Sequence, residues 1–569
     1  MSLPHSSHRA AALGLAASIL AVLAARPTPV AGQSITVYAE EYEQAWTGAG
    51  SGIPLYLALH SAMPEAGREE ALDLIIDGLN LQYIQDYPEF RVADEPDYYE
   101  RRAEYFLGAQ ERNPDIQVVL VPSQYPDDLR HDTIAMFNGS LQNRRRLDTR
   151  RDDIYGAVAE WYLEMMTFYA ERGVEVDIIN LVNEPLHITR RYGVSTEPMP
   201  EFFTARLFDA AVDSLRAFIA DPERNPQGVE MPLIMGPSDI GPAGSVTLLG
   251  YYEREAPEAY ANIDILAYHQ YNGGTGQGIG TLARRALLDG KPLHQSEMHT
   301  NRGENIASIN ALPTPHRGVL SLAALFTSAL NQGTNAWYYF LNVFPDDDSN
   351  PGLLQIRNGF ERPVPFRQYY ALRQLATAQP IGARRLNRNL RSISDADVLV
   401  MREEGSDTIV VHFANYRGSE RQIELTVLDT AGGTPYPVEF YDTRLSDATA
   451  DDSLLARVAV DSIFAPVSLT APPFSLNTYQ VVLANSTGLS PKRAPEETLE
   501  VRREGSELVV RTGASALLQR ASLSAMDGRV LMESSGTEVR FDVGGLPPGI
   551  YVVSARTAAG LAARRVAVW

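Results

Sequence analysis

A chain of 569 residues is too long for one ordinary hydrophobic core and predicts several domains. Its 44% hydrophobic and 9% aromatic content excludes a disordered polymer, and a formal net charge of −22 argues against phosphate-rich partners such as nucleic acid or an anionic membrane. The absence of cysteine excludes disulfides, thiolate metal sites and thiol nucleophiles.

Residues 1–32 read as a signal peptide. His5, His8 and Arg9 make a short basic start, the run 10–25 is apolar but short and rich in small residues, and Val30-Ala31-Gly32 offers a cleavage site. Export is expected, and no later stretch is long and apolar enough to predict a membrane span. The basic residues are arginine except for Lys291 and Lys492. A salt-rich habitat, where screening shortens self-repulsion, and biased codon usage explain this equally well.

Over 33–380 short apolar runs alternate with segments of helical period, the rhythm of βα units. The strands fall at 55–60, 81–86, 117–122, 176–183, 233–236, 263–271, 293–297 and 335–341. Helices fall at 68–77, 98–111, 154–172, 202–220, 246–255, 282–288, 319–330 and 366–376. Trp161, Met165, Phe168 and Tyr169 show the three-to-four spacing that buries one helix face. Eight such units predict an α/β fold, a (β/α)₈ TIM barrel. A doubly wound open sheet is the alternative, but its Gly-rich first turn is missing.

Beyond Pro380 short β-rich runs separated by Gly, Asp, Pro and Asn predict a β-sandwich over 381–485. The polar, proline-containing stretch 486–498 reads as a linker, and 499–569 as a small all-β domain.

Two strands end in a carboxylate. The run 177–185 leads into Asn183-Glu184-Pro185, and 292–299 contains Gln295-Ser296-Glu297. The C-terminal rim of a TIM barrel is where chemistry sits. Glu184 on the fourth strand and Glu297 on the seventh would face each other across it, which is the parts list for glycoside hydrolysis. Asn183 can offer its amide to a hydroxyl beside the reacting carbon. Plain readings stand beside these: His269 as a hydrogen-bonded core histidine, Trp337 as barrel packing, most tyrosines as structural. Tyr87, Tyr125, Tyr192 and Tyr271 fall near strand ends, where rings could stack on sugar faces. Asp346-Asp347-Asp348 could bind calcium or form a solvated acidic turn.

Asn183-Glu184 and Glu297, with Tyr268-His269-Gln270-Tyr271 on the sixth strand, resemble glycoside hydrolase clan A, the retaining β-glycosidase barrels. The resemblance covers about residues 50–380. It implies Glu184 as acid/base, Glu297 as nucleophile, Tyr271 hydrogen-bonded to the nucleophile, and Asn183, His269, Tyr271 and Trp337 as substrate-binding residues. The sandwich, entered through Ile381-Gly382-Ala383-Arg384-Arg385, is similar to that of family 30 enzymes. The second strand departs from that family: Gln85-Asp86-Tyr87-Pro88 stands where an arginine motif is usual, with Arg91 beyond it. Strand eight reads Trp337-Tyr338-Tyr339-Phe340, and if Phe340 holds the late aromatic position the usual tryptophan platform is altered.

In the tail, 525–530, the Leu546-Pro547-Pro548-Gly549-Ile550-Tyr551 stretch and 564–568 resemble the C-terminal sorting domain of type IX secretion cargo. That implies passage through the outer membrane by the type IX machinery, then release or surface attachment. The expectation is a secreted retaining glycoside hydrolase that uses no organic cofactor and no metal. Its partner would be a β-linked polysaccharide: a xylan, a β-1,6-glucan or galactan, or agar. A non-catalytic carbohydrate-binding protein on the same scaffold and a surface adhesin are the rivals.

Overall fold

The computed structural model describes residues 32–568 apart from 53–62, 138–139, 187–199, 272–277, 301–313, 345–351, 356–361, 395–396, 431–437, 448–452, 459–466, 484–498, 505, 513–517, 526–529, 537, 547–548 and 558–559. The chain divides into two compact units, Met1–Ala484 and Asn485–Trp569.

In the first unit a long strand, β1 (Gln33–Ala45), precedes a closed barrel of eight parallel strands. The barrel begins with β2 (Gly48–Gly52), β3 (Leu81–Asp86) and β4 (Gln117–Leu120). A hairpin of β5 (Arg130–Phe137) and β6 (Ser140–Leu147) follows, and the barrel resumes with β7 (Ile178–Asn180), β8 (Leu233–Asp239) and β9 (Ile265–His269). It closes with β10 (Leu293–Glu297) and β11 (Ala336–Tyr339), the latter pairing back onto β2.

Period-two alternation gives each strand two buried faces. Tyr83, Val119, Ile178, Met235, Ile265, Ala267, Ala336 and Tyr338 fill the interior. Ile84, Val118, Ile179, Ile234, Leu266, Leu293 and Trp337 pack outward against the helices. The helix Ile154–Ala170 answers with Val158, Trp161, Tyr162, Met165 and Tyr169, all buried; each such side chain contributes about 1.5–3 kcal/mol. Prolines open the helices Pro96–Arg112 and Pro242–Glu255, where a missing N–H costs nothing.

The first barrel strand is not the apolar run 55–60, which lies outside the described residues, but Gly-Ala-Gly-Ser-Gly just before it. Interior space explains the composition. A Cβ on Gly50 would meet the Tyr338 ring at 2.4 Å, so the large rings of Tyr83 and Tyr338 fill the barrel only if β2 brings almost no side chains.

After β11 come the short strands β12 (Val343–Phe344), β13 (Leu354–Gln355) and β14 (Val364–Pro365), then the helix Arg367–Thr377. The chain continues with β15 (Arg384–Arg391), β16 (Val398–Arg402), β17 (Thr408–Asn415), β18 (Arg421–Leu428), β19 (Val438–Asp447), β20 (Ser453–Val458), β21 (Val467–Ala471) and β22 (Ser475–Leu483). These eight and β1 form a nine-stranded sheet ordered β20-β19-β22-β17-β16-β15-β1-β18-β21. Thus β1, grouped with the barrel by the sequence pattern, runs antiparallel to β15 and parallel to β18. The sheet curls over its own core, where Val398, Val400, Val411 and Phe413 meet Ile35, Val37, Leu425 and Leu469. Its other face offers Leu399, Met401, Val410 and Leu476 to the barrel's helix layer, so β16 is buried on both sides.

The second unit holds two sheets. One is β23 (Leu499–Glu504), β24 (Glu507–Thr512) and β27 (Glu538–Asp542). The other is β25 (Leu518–Ala525), β26 (Val530–Gly536), β28 (Gly549–Thr557) and β29 (Gly560–Val568). Leu508, Val510, Leu523, Phe541, Tyr551 and Val553 form their shared core. Among the described residues no helix is long and apolar enough to cross a membrane.

Candidate active site

The C-terminal ends of β3, β7, β9 and β10 converge on two carboxylates. Glu184 follows β7 in the left-handed backbone region, φ +46°, which is unusual for a non-glycine and more so before a proline. Its N–H donates to the Ser238 carbonyl at 3.1 Å, and the Leu186 N–H donates to Asp239 Oδ1 at 2.9 Å. These ties to the end of β8 hold a backbone conformation that costs on the order of 1–3 kcal/mol.

Glu297 ends β10 through a break in register. His294 faces the barrel axis against Tyr83 and Tyr338, and Ser296 reaches Ser238 at 3.0 Å. Strict alternation would send residue 297 outward. The register with β9 slips between Gln295 and Glu297, and the slip turns the carboxylate into the cleft.

There each oxygen of Glu297 accepts a phenol. Tyr271 donates to Oε1 at 2.9 Å and Tyr87 to Oε2 at 2.9 Å. His269, fully buried, places Nδ1 2.9 Å from Glu184 Oε1 and Nε2 3.9 Å from Glu297 Oε2. Nδ1–H can donate to Glu184 Oε1, which accepts whether or not the other oxygen of that carboxyl carries a proton.

Burial pushes the Glu297 carboxyl up, and the charge of Glu184 adds to it. His269 and the two phenols pull the other way, yet the net displacement is upward. Burial opposes a charge on His269, but Glu297 and the bond to Glu184 carry it above its ordinary value. Tyr87 and Tyr271 lie well above the phenol range through burial and the Glu297 charge, so both remain donors.

Among the predicted site residues, Glu184, Glu297, His269 and Tyr271 come together. Asn183 is half-buried beside them, its Oδ1 sealed without a partner. Trp337 does not join them. It is fully buried on the helix side of β11, its indole N–H on Gln270 Oε1 at 3.0 Å and its ring against Phe326. Alternation explains this, since Ala336 and Tyr338 take the interior and odd-numbered residues face outward. The strand-eight ring in the cleft is Phe340, edge-on to Tyr87 at 5.2 Å. Tyr125 is structural, its hydroxyl donating to the Leu181 carbonyl at 2.5 Å. Tyr192 and Asp346–Asp348 lie outside the described residues.

Two residues of the site, Tyr87 and His299, stand in roles that the sequence did not assign them. Tyr87 directly follows β3 and so lies on the rim, a position that signals more than a stacking ring. His299 stands two residues beyond Glu297, its ring centroid 5.1 Å from that of Tyr271.

Glu184, His269 and Glu297 each present an atom within 4.8 Å of the others, a set that could in principle ligate a divalent ion. The same three groups set two carboxylates on either side of a histidine that approaches both.

No family model matches the sequence, and no curated protein matches it. Solved structures do share the fold. A family 30 endoxylanase from Clostridium papyrosolvens superposes with a TM-score of 0.58 at 15% identity, over 79% of this chain and 100% of its own. An endo-β-1,6-glucanase gives 0.52 at 15% identity, over 79% and 94%. The protein BuGH86, solved in complex with neoagarooctaose, gives 0.50 at 12% identity, over 93% and 97%. At such identities the likeness establishes the fold.

Proposed function

We propose that the protein is a secreted, retaining glycoside hydrolase that cleaves β-linkages inside a polysaccharide. The observation that carries this reading is the approach of Glu184 and Glu297, one oxygen of each lying within 4.8 Å of the other at the rim of one barrel. Double displacement uses carboxyls about 5–5.5 Å apart, whereas inversion needs about 6.5–9.5 Å to admit a water.

In the first step Glu297 attacks the anomeric carbon while Glu184 gives its proton to the departing glycosidic oxygen. Tyr87 and Tyr271 hold the attacking carboxylate in a fixed plane, and His269 positions Glu184. In the second step Glu184 takes a proton from water, whose oxygen displaces Glu297 from the sugar. Asn183 is suited to a hydroxyl beside the reacting carbon. The neighbouring folds include an endoxylanase and an endoglucanase, which supports endo-action on a polymer. The apolar leader supports export, and the tail's resemblance to a sorting domain supports delivery by type IX machinery.

The test is release of reducing sugar from a panel of xylans, β-1,6-glucans, galactans and agar, with product sizing. Activity that disappears in Glu297→Ala and Glu184→Ala supports the assignment. Tight polysaccharide binding with no product from any polymer would mark a non-catalytic binding protein instead.

A further inference from the structure

Four rings form a collar beside the Glu297 carboxylate. Tyr271 lies 5.1 Å from His299, His299 lies 6.1 Å from Phe340, and Phe340 lies 5.2 Å from Tyr87, centroid to centroid. Tyr271 and Tyr87 spend their hydroxyls on Glu297, and Phe340 has no polar atom. That leaves the imidazole of His299 as the member with hydrogen-bonding capacity to spare.

The ring's two nitrogens differ. Nδ1 is sealed from solvent without a hydrogen-bond partner, while the side chain as a whole remains partly open. A buried orphan N–H is the costlier state, so the proton belongs on Nε2 and the open edge is a donor. Burial also brings the imidazole down to about 4, against the opposing pull of Glu184. A neutral donor fixed between two aromatic faces has little rotamer freedom left to lose on binding.

We infer that His299 is a substrate-contacting specificity residue, its Nε2–H donating to one hydroxyl of the neutral sugar that stands over Glu297. The inference rests on the glycosidase reading above and names a group beyond the acid, the nucleophile and their hydrogen-bond partners. Loss of such a neutral contact is expected to lower kcat/KM about tenfold.

The experiment uses the full chain and the 4-nitrophenyl β-glycoside or β-disaccharide that it hydrolyses fastest, together with the monodeoxy analogues of that substrate. His299→Phe keeps the ring and removes both nitrogens; His299→Gln gives up the ring but keeps an N–H near the position of Nε2. The expected result is a tenfold loss in His299→Phe on the parent substrate, no loss on one deoxy analogue, and substantial recovery in His299→Gln. If Phe keeps full activity, or loses equally on the parent and every analogue, His299 only packs the collar and the inference is overturned. If the wild type releases product neither from these nor from any polymer of the panel, the glycosidase reading falls first and this one with it.

Discussion

Tyr87 and Tyr271 divide the Glu297 carboxylate between them, each donating to a different oxygen at 2.9 Å from opposite sides of the cleft. Both bonds favour the ionised form, opposing the burial that pushes Glu297 upward. Removing either phenol should therefore raise Glu297 further, and the acid limb of kcat/KM should move to higher pH. Tyr87→Phe and Tyr271→Phe should each cost about 10–100-fold at neutral pH, the size of a hydrogen bond to a charged group. A pH–rate profile for each mutant checks this, and an unmoved acid limb would remove that tyrosine from the nucleophile's surroundings.

The same displacement makes a stability prediction. A carboxyl raised on folding contributes stability that is full below its unfolded value and lost as pH climbs through its folded value. Above that folded value the ionised Glu297 is thus a cost to the fold. Glu297→Gln should unfold at a higher temperature near pH 7, by about 0.5–2 kcal/mol. The gap should close below the ordinary carboxylate range, where wild-type Glu297 is protonated in both states. Thermal melts across pH measure it; a gap independent of pH would contradict the linkage.

Beneath the site lies a pair that should behave oppositely. Arg102 Nε donates to both oxygens of Asp86 at 2.7 and 2.8 Å, with side-chain exposures of 2% and 0%. The guanidinium also stacks 3.5 Å over the Tyr98 ring. Arg102→Met leaves a buried carboxylate uncompensated and should destabilise by about 3–5 kcal/mol. Adding Asp86→Asn should recover part of that loss. Urea unfolding of the single and double mutants decides it, and simple additivity would show that the two residues are not coupled.

How far these features were legible in the sequence follows from where side-chain chemistry shows itself. Most barrel strands could be read because buried parallel strands are apolar runs; Leu293–Glu297 is mostly polar, yet emerged with its predicted bounds. The strand Gly48–Gly52 could not, since its role is to make room for Tyr83 and Tyr338. Nor could β1, whose partners β15 and β18 lie about 340 to 390 residues away. Within the site, Glu184 and Glu297 were legible from strands ending in a carboxylate. Trp337 was misplaced because a one-residue phase on a short strand decides between cleft and core. His299 carries no local signature, because its neighbours Tyr271 and Phe340 come from other strands.

Metal dependence gives an independent check on the grouping of Glu184, His269 and Glu297. If the two carboxylates act as acid/base and nucleophile, exhaustive chelation should leave kcat/KM unchanged within about twofold, and divalent ions should not restore any variant. Loss of activity on chelation with recovery on adding one metal would convert the same three residues into a ligand set.

The stereochemical outcome separates the roles of the two glutamates. With the carboxylates this close, hydrolysis should give a first product that keeps the β configuration of the substrate. Glu297→Ala should abolish turnover; azide, entering from the vacated face, should restore it with an inverted α-azide, because only one displacement then occurs. Glu184→Ala should slow natural linkages by about 10²–10⁴-fold, and activated aryl glycosides far less, because a good leaving group needs little protonation. Azide added there should intercept the glycosyl-enzyme on Glu297 and give the β-azide. Proton NMR of the first products reads each case directly. Inversion by the wild type would mean that a water stands where Glu297 is assigned to attack. Exchange of the two azide outcomes would make Glu184 the nucleophile and Glu297 the acid.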